Sequence, residues 1–514
     1  MKFTVLIVKE ENLKRITHTE FENKAKALKP QLIEKVNDKP HIIEVKHQKI
    51  KASHQFRKVE QLKKGDEVIY DFKNHLVGYL TLKIDYQGSP YDAPGYIKLN
   101  MAERLEEFDD DINDYCGWIS KGWVQEEYIH IDEYPITLKL PRRYALRFLK
   151  ISVIDTSQKY QLVIKGVSCT SVSAVDEANV EVIHDQKYQQ IDRVAIHTLQ
   201  NCMQEVFEDG PKRDRRLWLG DLYLQAKTNY VTFKNTDLVK RCLYLFATQT
   251  REDGLMSACI FTRPRLIADD TFIFEYSLLF ISTLKDYYLY TNDKETLKDL
   301  LPIALHQIEL ATTFLNEFDQ KGVLKYPPFI DWQDGLDKTI CMFASYVMAL
   351  NEGAEIYKVL NGEDDFYHQL ITKGKETLEK THQKYWNQKL KMYVVNGQVS
   401  YASQVYMILA GAVSLKQGQE ILLNLDEKAV KLLTPYAHHY YVEALIKCGL
   451  NQEALVHIEN YWGKMVELGA DTFFEPFDPE CLDTSPYGGK IVNSYCHAWS
   501  CTPSYLLRKL LVSM

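Results

Sequence analysis

The chain has 514 residues, 46% of them apolar and 12% aromatic, and a formal net charge of −8. Length alone predicts about two to four domains with room for a large core. The acidic balance argues against a nucleic-acid surface, which needs a basic face. No stretch offers about 18 uninterrupted apolar residues, so no membrane-spanning helix is expected.

In chain order, the apolar run within residues 1–9 is too short for a signal peptide and lacks a small-residue cleavage site, so it reads as a first strand. A short helix is expected over 30–36. Gly88-Ser89-Pro90 and Ala93-Pro94-Gly95 mark turns. Residues 135–140 and 149–153 alternate at strand period, and 160–164 is a further β-rich run. The pattern predicts an antiparallel β-sandwich domain over 1–187.

From 188 to 514 the period is helical. Helices are expected over 188–207, 271–290, 294–317, 340–360, 365–385, 401–413, 438–448, 452–468 and 497–511, several behind an Asp, Asn, Ser or Thr suited to N-capping. Pro302 is expected to break or kink the third. Such a series forms either a solenoid or a closed toroid. No repeat of about 34 or 40 residues is present, which disfavours the solenoid. The connections 209–221, 267–270, 329–337 and 471–485 carry the unusual chemistry. Gathered at one mouth they favour the toroid; as plain carboxylate caps of helix N-termini they would favour neither.

The richest connection reads Glu208-Asp209-Gly210-Pro211-Lys212-Arg213-Asp214-Arg215-Arg216-Leu217-Trp218-Leu219-Gly220-Asp221. Carboxylates among guanidinium groups beside an aromatic plate suit a pocket that binds sugar hydroxyls and moves protons. A solvated charged face is the alternative, against which stand Trp218 and the backbone-shaping Gly210, Pro211 and Gly220. The second stretch, 469–479, sets Glu475 among three Phe and two Pro, an apolar setting that would desolvate a carboxylate. Glu475 could equally be a helix cap or half of an ion pair. With Asp214 it would make the two carboxyl groups that glycoside hydrolysis requires. Third is Asn493-Ser494-Tyr495-Cys496-His497-Ala498-Trp499-Ser500, where His497 is either a hydroxyl partner or a structural hydrogen-bonder. Fourth is Phe329-Ile330-Asp331-Trp332-Gln333-Asp334-Gly335, a carbohydrate rim or an ordinary loop around a buried Trp332.

Phosphate-loop, dinucleotide, zinc-protease and serine-hydrolase signatures are missing, and no cofactor or metal is expected. The ten cysteines are scattered without C-x-x-C pairs, as in a cytoplasmic protein with reduced thiols.

With these stretches in place the chain resembles the α-L-rhamnosidases of glycoside hydrolase family 78. Members share a D-C-P-x-R-x-E-R-x-G-W-x-G-D type motif, then G-A-T-T-x-W-E, then N-S-x-x-H-A-W-S-x-x-P. The counterparts here are residues 209–221, 469–475 and 493–503, in the same order. The resemblance implies an N-terminal β-sandwich, an (α/α)6 barrel and inverting release of terminal α-L-rhamnose from small glycosides. Asp214 would be the general acid and Glu475 the general base. Asp209, Arg213, Trp218 and Asp221 would hold the sugar, with Trp332 and His497 lining the rest. The first motif is one residue shorter than the family's. Aligned back from Asp221, the family's acidic Glu falls on Asp214; aligned forward from Asp209, it falls on Arg215. Asp214 keeps an acid in place, provided Arg213 and Arg215 turn away or burial outweighs them. A C-terminal sandwich found in larger members is not expected. A glycoside phosphorylase on the same toroid, or a non-catalytic sugar binder, is the rival reading. A small-molecule glycoside is the expected partner, and a homodimer the expected assembly if there is one.

Overall fold

A computed structural model describes residues 13–46, 48–56 and 61–512. The strand expected within residues 1–9 lies outside them. The N-terminal β region is an antiparallel sheet built around one 22-residue strand, Glu67–Gly88. The first half of that strand pairs with Tyr144–Asp155 and the second with Tyr160–Ser173. One strand shared in this way folds the sheet over a common core that includes Leu80, Leu82, Leu99, Leu146, Ile151 and Leu162. The period-two rule is plain in Gly95–Ala102, where Ile97, Leu99 and Met101 are buried and Tyr96, Lys98 and Asn100 are half-buried.

The runs at 135–140, 149–153 and 160–164 fall in the strands Ile136–Lys139, Tyr144–Asp155 and Tyr160–Ser173. The helix expected over 30–36 is instead the strand Ile33–Asn37, paired antiparallel with residues 169–173. The open edge there supplies ladder partners that outweigh a weak local helical preference, and the Asn37 amide seals the end on the Cys169 carbonyl at 3.2 Å. The N-terminal helix is α1, Thr19–Ala27, and it packs on the helical region rather than the sheet. Just before it, Arg15–Thr17 pairs with Gln249–Arg251.

The helical region comprises α2 (Gln189–Cys202), α3 (Leu219–Val231), α4 (Thr236–Thr248), α5 (Phe274–Thr291), α6 (Lys294–Lys321) and α7 (Thr339–Asn361). It continues with α8 (Asp365–Tyr385), α9 (Tyr401–Leu409), α10 (Leu415–Leu423), α11 (Pro435–Lys447), α12 (Asn451–Glu467) and α13 (Pro503–Val512). Odd-numbered helices from α3 onward pack on one another in a closed inner ring, and even-numbered ones lie outside. These are six hairpins of an (α/α)6 barrel. Burial follows the layers. In α8 only Leu370, Gly374 and Thr381 of 21 residues are buried, whereas α7 is apolar nearly all round.

The expected helices are present, α8 with both ends as expected and the others with ends shifted by at most six residues. The expected 497–511 helix is split, a 3-10 turn at Ala498–Cys501 preceding α13. α3, α4 and α10 were not expected. α3 is buried on almost every side and so lacks the polar stripe that reveals a helix; α4 does carry one, through Asp237, Lys240, Arg241 and Tyr244, and was overlooked; α10 has only nine residues. α6 runs through Pro302 without a break, because the ring and the freed carbonyl of Lys298 lie on the exposed side. Gly220, expected to bend a loop, lies inside α3. A Cβ there would meet the Tyr276 ring at 2.3 Å, so glycine is what lets α3 and α5 close up. Among the described residues no helix is long and apolar enough to cross a membrane.

The two regions are joined by buried polar contacts. The Lys212 ammonium donates to Glu107 of the β region and to the carbonyls of Ile491 and Asn493, at 3.1 and 2.9 Å for the latter two. Arg143 pairs with Glu208 at 2.6 Å, and the Tyr495 amide donates to Glu103 at 2.7 Å. Burial pushes the Glu107 carboxyl up to about 7, and Lys212 is its nearest compensation. Lys212→Met should therefore lower unfolding stability by about 3–5 kcal/mol, the cost of breaking a buried pair from one side. A denaturant midpoint equal to the parent's would show that this contact does not hold the regions together.

Candidate active site

One cavity of about 290 Å³ opens at the end of the barrel where the connections gather. Its wall contains Asp209, Arg213, Asp214, Trp218 and Asp221 from the α2–α3 connection and the start of α3. Glu475, Tyr487, His497 and Trp499 come from the connection between α12 and α13, and Phe329, Trp332 and Lys338 from the one before α7. All eight residues singled out in the sequence therefore face the same space.

The α2–α3 connection closes on itself. The Asp209 amide donates to the Arg216 carbonyl at 3.0 Å, the Arg216 amide to Asp209 Oδ1 at 2.9 Å, and the Arg215 amide to the Gly210 carbonyl at 3.2 Å. At its tip Asp214 and Arg215 have φ of +66° and +54°. Two successive non-glycine residues in the left-handed region are costly, and this one is held by the surrounding bonds. The turn sends consecutive side chains apart. Arg213 goes inward, Asp214 stays at the cavity, and Arg215 leaves it for the neighbourhood of Arg143, Glu208 and Tyr144. Burial, with Arg143 nearby, pushes the Arg215 guanidinium down to about 10.

Arg213 is buried, and its position settles the electrostatics. Nη2 donates to Glu475 Oε2, Nε donates to the Val492 carbonyl at 3.1 Å, and the guanidinium lies 4.0 Å over the Tyr487 ring. Nη1 stands 3.9 Å from Asp214 Oδ1. The setting of Glu475 is thus less apolar than its sequence neighbours imply, for Tyr487 also donates its hydroxyl to Oε1. Asp214 differs from the other acids in exposure. Its side chain is 23% exposed, against 5% for Asp209 and 3% each for Asp221 and Glu475.

Asp209 and Asp221 are held well above the usual carboxylate range, first by burial and then by neighbouring carboxylates. Neutral carboxyl groups can both donate to and accept from sugar hydroxyls. His497 Nδ1 lies 3.5 Å from Asp221 Oδ1, and neither atom has a hydrogen-bond partner among the described residues. Burial, followed by Arg213, pushes the imidazole well below its ordinary value, so it is neutral. The backbone around it ties the connections together: His497 N donates to the Phe473 carbonyl at 2.9 Å, and Ala498 N to the Asp209 carbonyl at 2.7 Å.

Aromatic walls complete the cavity. Trp218 meets Tyr276 edge-on at 6.5 Å, and Trp332 meets Phe329 at 5.2 Å. Trp499 stacks on Phe329 at 5.6 Å and donates its indole N–H to the Glu475 carbonyl at 2.9 Å. Asp331, which the sequence sets beside Trp332 as rim chemistry, is a buried cap. It accepts from the amides of Leu433 and Thr434 at 2.8 and 3.0 Å. Trp499, which the sequence offers with His497 as a wall for a sugar ring, does line the cavity, whereas Tyr276, Tyr487 and Lys338 were missed. Tyr276 and Lys338 stand at helix starts that the sequence did not mark as chemical, and Tyr487 stands in a stretch without charge clusters.

Comparison with known proteins gives a consistent assignment. A model of the glycosyl hydrolase family 78 α-rhamnosidase N-terminal domain matches residues 29–171. A model of the bacterial α-L-rhamnosidase six-hairpin glycosidase domain matches residues 182–511. Among solved structures, a rhamnosidase from Klebsiella oxytoca with rhamnose bound is 40% identical at a TM-score of 0.90, over 97% of this chain and 99% of that one. The family 78 rhamnosidase of Bacillus sp. GL1 is 19% identical at a TM-score of 0.72, over 88% of this chain and 47% of that one. An α-L-rhamnosidase of Streptomyces avermitilis complexed with L-rhamnose is 13% identical at 0.66, over 93% and 44%. The last two share the fold alone. No curated protein matches the chain.

The loop carrying Trp332 rests on Glu275, whose carboxylate accepts the amides of Phe329 and Ile330 at 2.8 and 3.1 Å. Burial pushes the Glu275 carboxyl up to about 7, whereas a free Glu titrates near ~4.3. The folded chain binds this proton more tightly, so its stabilising effect is complete below about pH 4 and is lost as pH rises through about 7. Glu275→Gln should flatten the fall of Tm between about pH 4 and pH 7. A slope as steep as the parent's would assign that fall to other groups.

Proposed function

The chain belongs to the α-L-rhamnosidases of glycosyl hydrolase family 78, glycosidases that hydrolyse terminal rhamnose, and from that premise we propose an inverting mechanism with Asp214 as general acid and Glu475 as general base. The observation that carries it is the contrast in exposure across one cavity. Asp214 is the acid at the mouth, where a leaving group departs, and Glu475 is shut away behind Arg213 and Tyr487. The guanidinium between them touches Glu475 and stands near Asp214, which keeps the carboxyl groups within on the order of 8 Å, room for a water on the far side of the sugar.

In this reading Arg213 and Tyr487 hold the Glu475 carboxylate in place, each donating to one of its oxygens. Arg215 turns aside, removing one of the two cations that flank the donor in sequence. As the bond to the leaving oxygen lengthens, Asp214 gives it a proton, while Glu475 strips one from the water attacking the anomeric carbon. Asp209, Asp221 and His497 hold the ring hydroxyls, and Trp218 and Trp332 flank the sugar's C–H faces. A small glycoside or oligosaccharide end fits a cavity of this size. The ten cysteines are all free thiols, even Cys202 and Cys496 with sulfurs 4.0 Å apart, which supports a reducing, cytoplasmic setting. A phosphorylase would require cations where Glu475 stands.

Asp214→Asn and Glu475→Gln should each lower kcat by about 10²- to 10⁴-fold while rhamnose still binds by calorimetry. Near-normal turnover in either variant would overturn the assignment. NMR of the first-formed sugar should show the β-anomer. An α-anomer would convert the mechanism to retention, and turnover that depends on added phosphate would make it a phosphorolysis.

A further inference from the structure

Glu475 has a different donor on each oxygen: Arg213 on Oε2 and the Tyr487 hydroxyl on Oε1. Because the guanidinium also lies over the Tyr487 ring, the two donors brace one another. A carboxylate gripped at both oxygens cannot rotate, so its remaining lone pairs keep one direction into the cavity. The seating of Tyr487 comes from outside the barrel. Tyr115 of the β region donates its hydroxyl to the Tyr487 carbonyl at 2.8 Å, and Trp118 donates its indole N–H to the Pro486 carbonyl at 2.8 Å. The Trp118 ring lies 5.5 Å from that of Tyr487, and Tyr115 is buried with Tyr487, Val124, Ile491 and Val492 in one apolar cluster. Between the two donors, Gly117 runs so close that a Cβ would meet the Tyr487 carbonyl at 1.9 Å.

We infer that the N-terminal β region positions the general base, Tyr115 and Trp118 seating Tyr487 and Tyr487 fixing Glu475. The inference rests on the reading of Glu475 as that base. Tyr115 and Trp118 are outside the cavity wall and act only through Tyr487. A mere cement between domains would also use these contacts. It would differ in one respect: its loss would not depend on whether Tyr487 carries a hydroxyl.

The test measures kcat and KM on para-nitrophenyl α-L-rhamnoside, with rhamnose affinity by calorimetry, in Tyr487→Phe, Tyr115→Phe, Trp118→Phe and the two doubles that include Tyr487→Phe. Tyr487→Phe should lower kcat roughly 10- to 100-fold, with KM and rhamnose affinity changed by less than about threefold. Each β-region variant alone should lower kcat roughly three- to tenfold, and neither should lower it further once the Tyr487 hydroxyl is gone. Full kcat in Tyr487→Phe, or losses that multiply in the doubles, would overturn the inference. Should Tyr487→Phe fail to fold, the two single variants decide, and unchanged kcat in both refutes the relay. An active Glu475→Gln would fail the base assignment itself. An inactive Glu475→Gln beside a fully active Tyr487→Phe would fail only the positioning.

Discussion

A guanidinium buried among carboxylates, with almost no water to screen it, is the constraint around which this molecule is arranged. Removing Arg213 and Glu475 from solvent costs several kcal/mol per ion unless every donor and acceptor finds a partner. The partners come from far-separated parts of the chain: the Val492 carbonyl, the Tyr487 ring and hydroxyl, and the loop that ends in Asp214. Satisfying one ion pair therefore fixes the α2–α3 and α12–α13 connections relative to one another. The same pairing holds one acid at the closed end of the cavity and leaves a different acid facing outward.

The barrel makes this convergence possible because every hairpin delivers its connections to an end of the ring. Inner helices such as α5 and α7 can be apolar on all sides, since they touch helices rather than solvent. Polar chemistry is displaced to the loops, where it must be held by bonds across the mouth. The β region contributes to that holding. Glu103, Glu107, Tyr115 and Trp118 all bond to helical-region backbone or side chains next to the cavity. Catalytic precision in this chain is a property of both regions.

Much of this was readable from the residues. Asp209, Asp214, Trp218, Asp221, Glu475 and His497 stand in short, charge- or aromatic-rich runs, and such runs reach one cavity because loops of a closed ring meet. The choice of Asp214 over Arg215 rested on keeping an acid in register, and the left-handed turn at these two residues gives it a physical form by aiming them in opposite directions. Tyr487 was not readable, because its stretch has no charge pattern and its importance arises from two donors in another domain. Asp331 misled for the opposite reason: a Trp between carboxylates resembles a rim, but the amides it caps belong to residues a hundred positions later. α3 escaped because burial on almost every side erases the periodicity by which helices are recognised.

The placement of residues 15–27 has a mechanical consequence. Strand Arg15–Thr17 and helix α1 belong to the barrel by contact: Phe21 and Ala25 enter its core, and Arg241 donates to the Ala25 carbonyl. From Arg15 onward the described chain therefore runs first on one body, crosses to the other, and comes back at α2. Two covalent tethers, not one, span the divide, so the bodies cannot swing about a single flexible joint as beads on a string do. Excising the β region would also orphan the plug that α1 inserts into its neighbour, which makes the pair one indivisible mechanical unit.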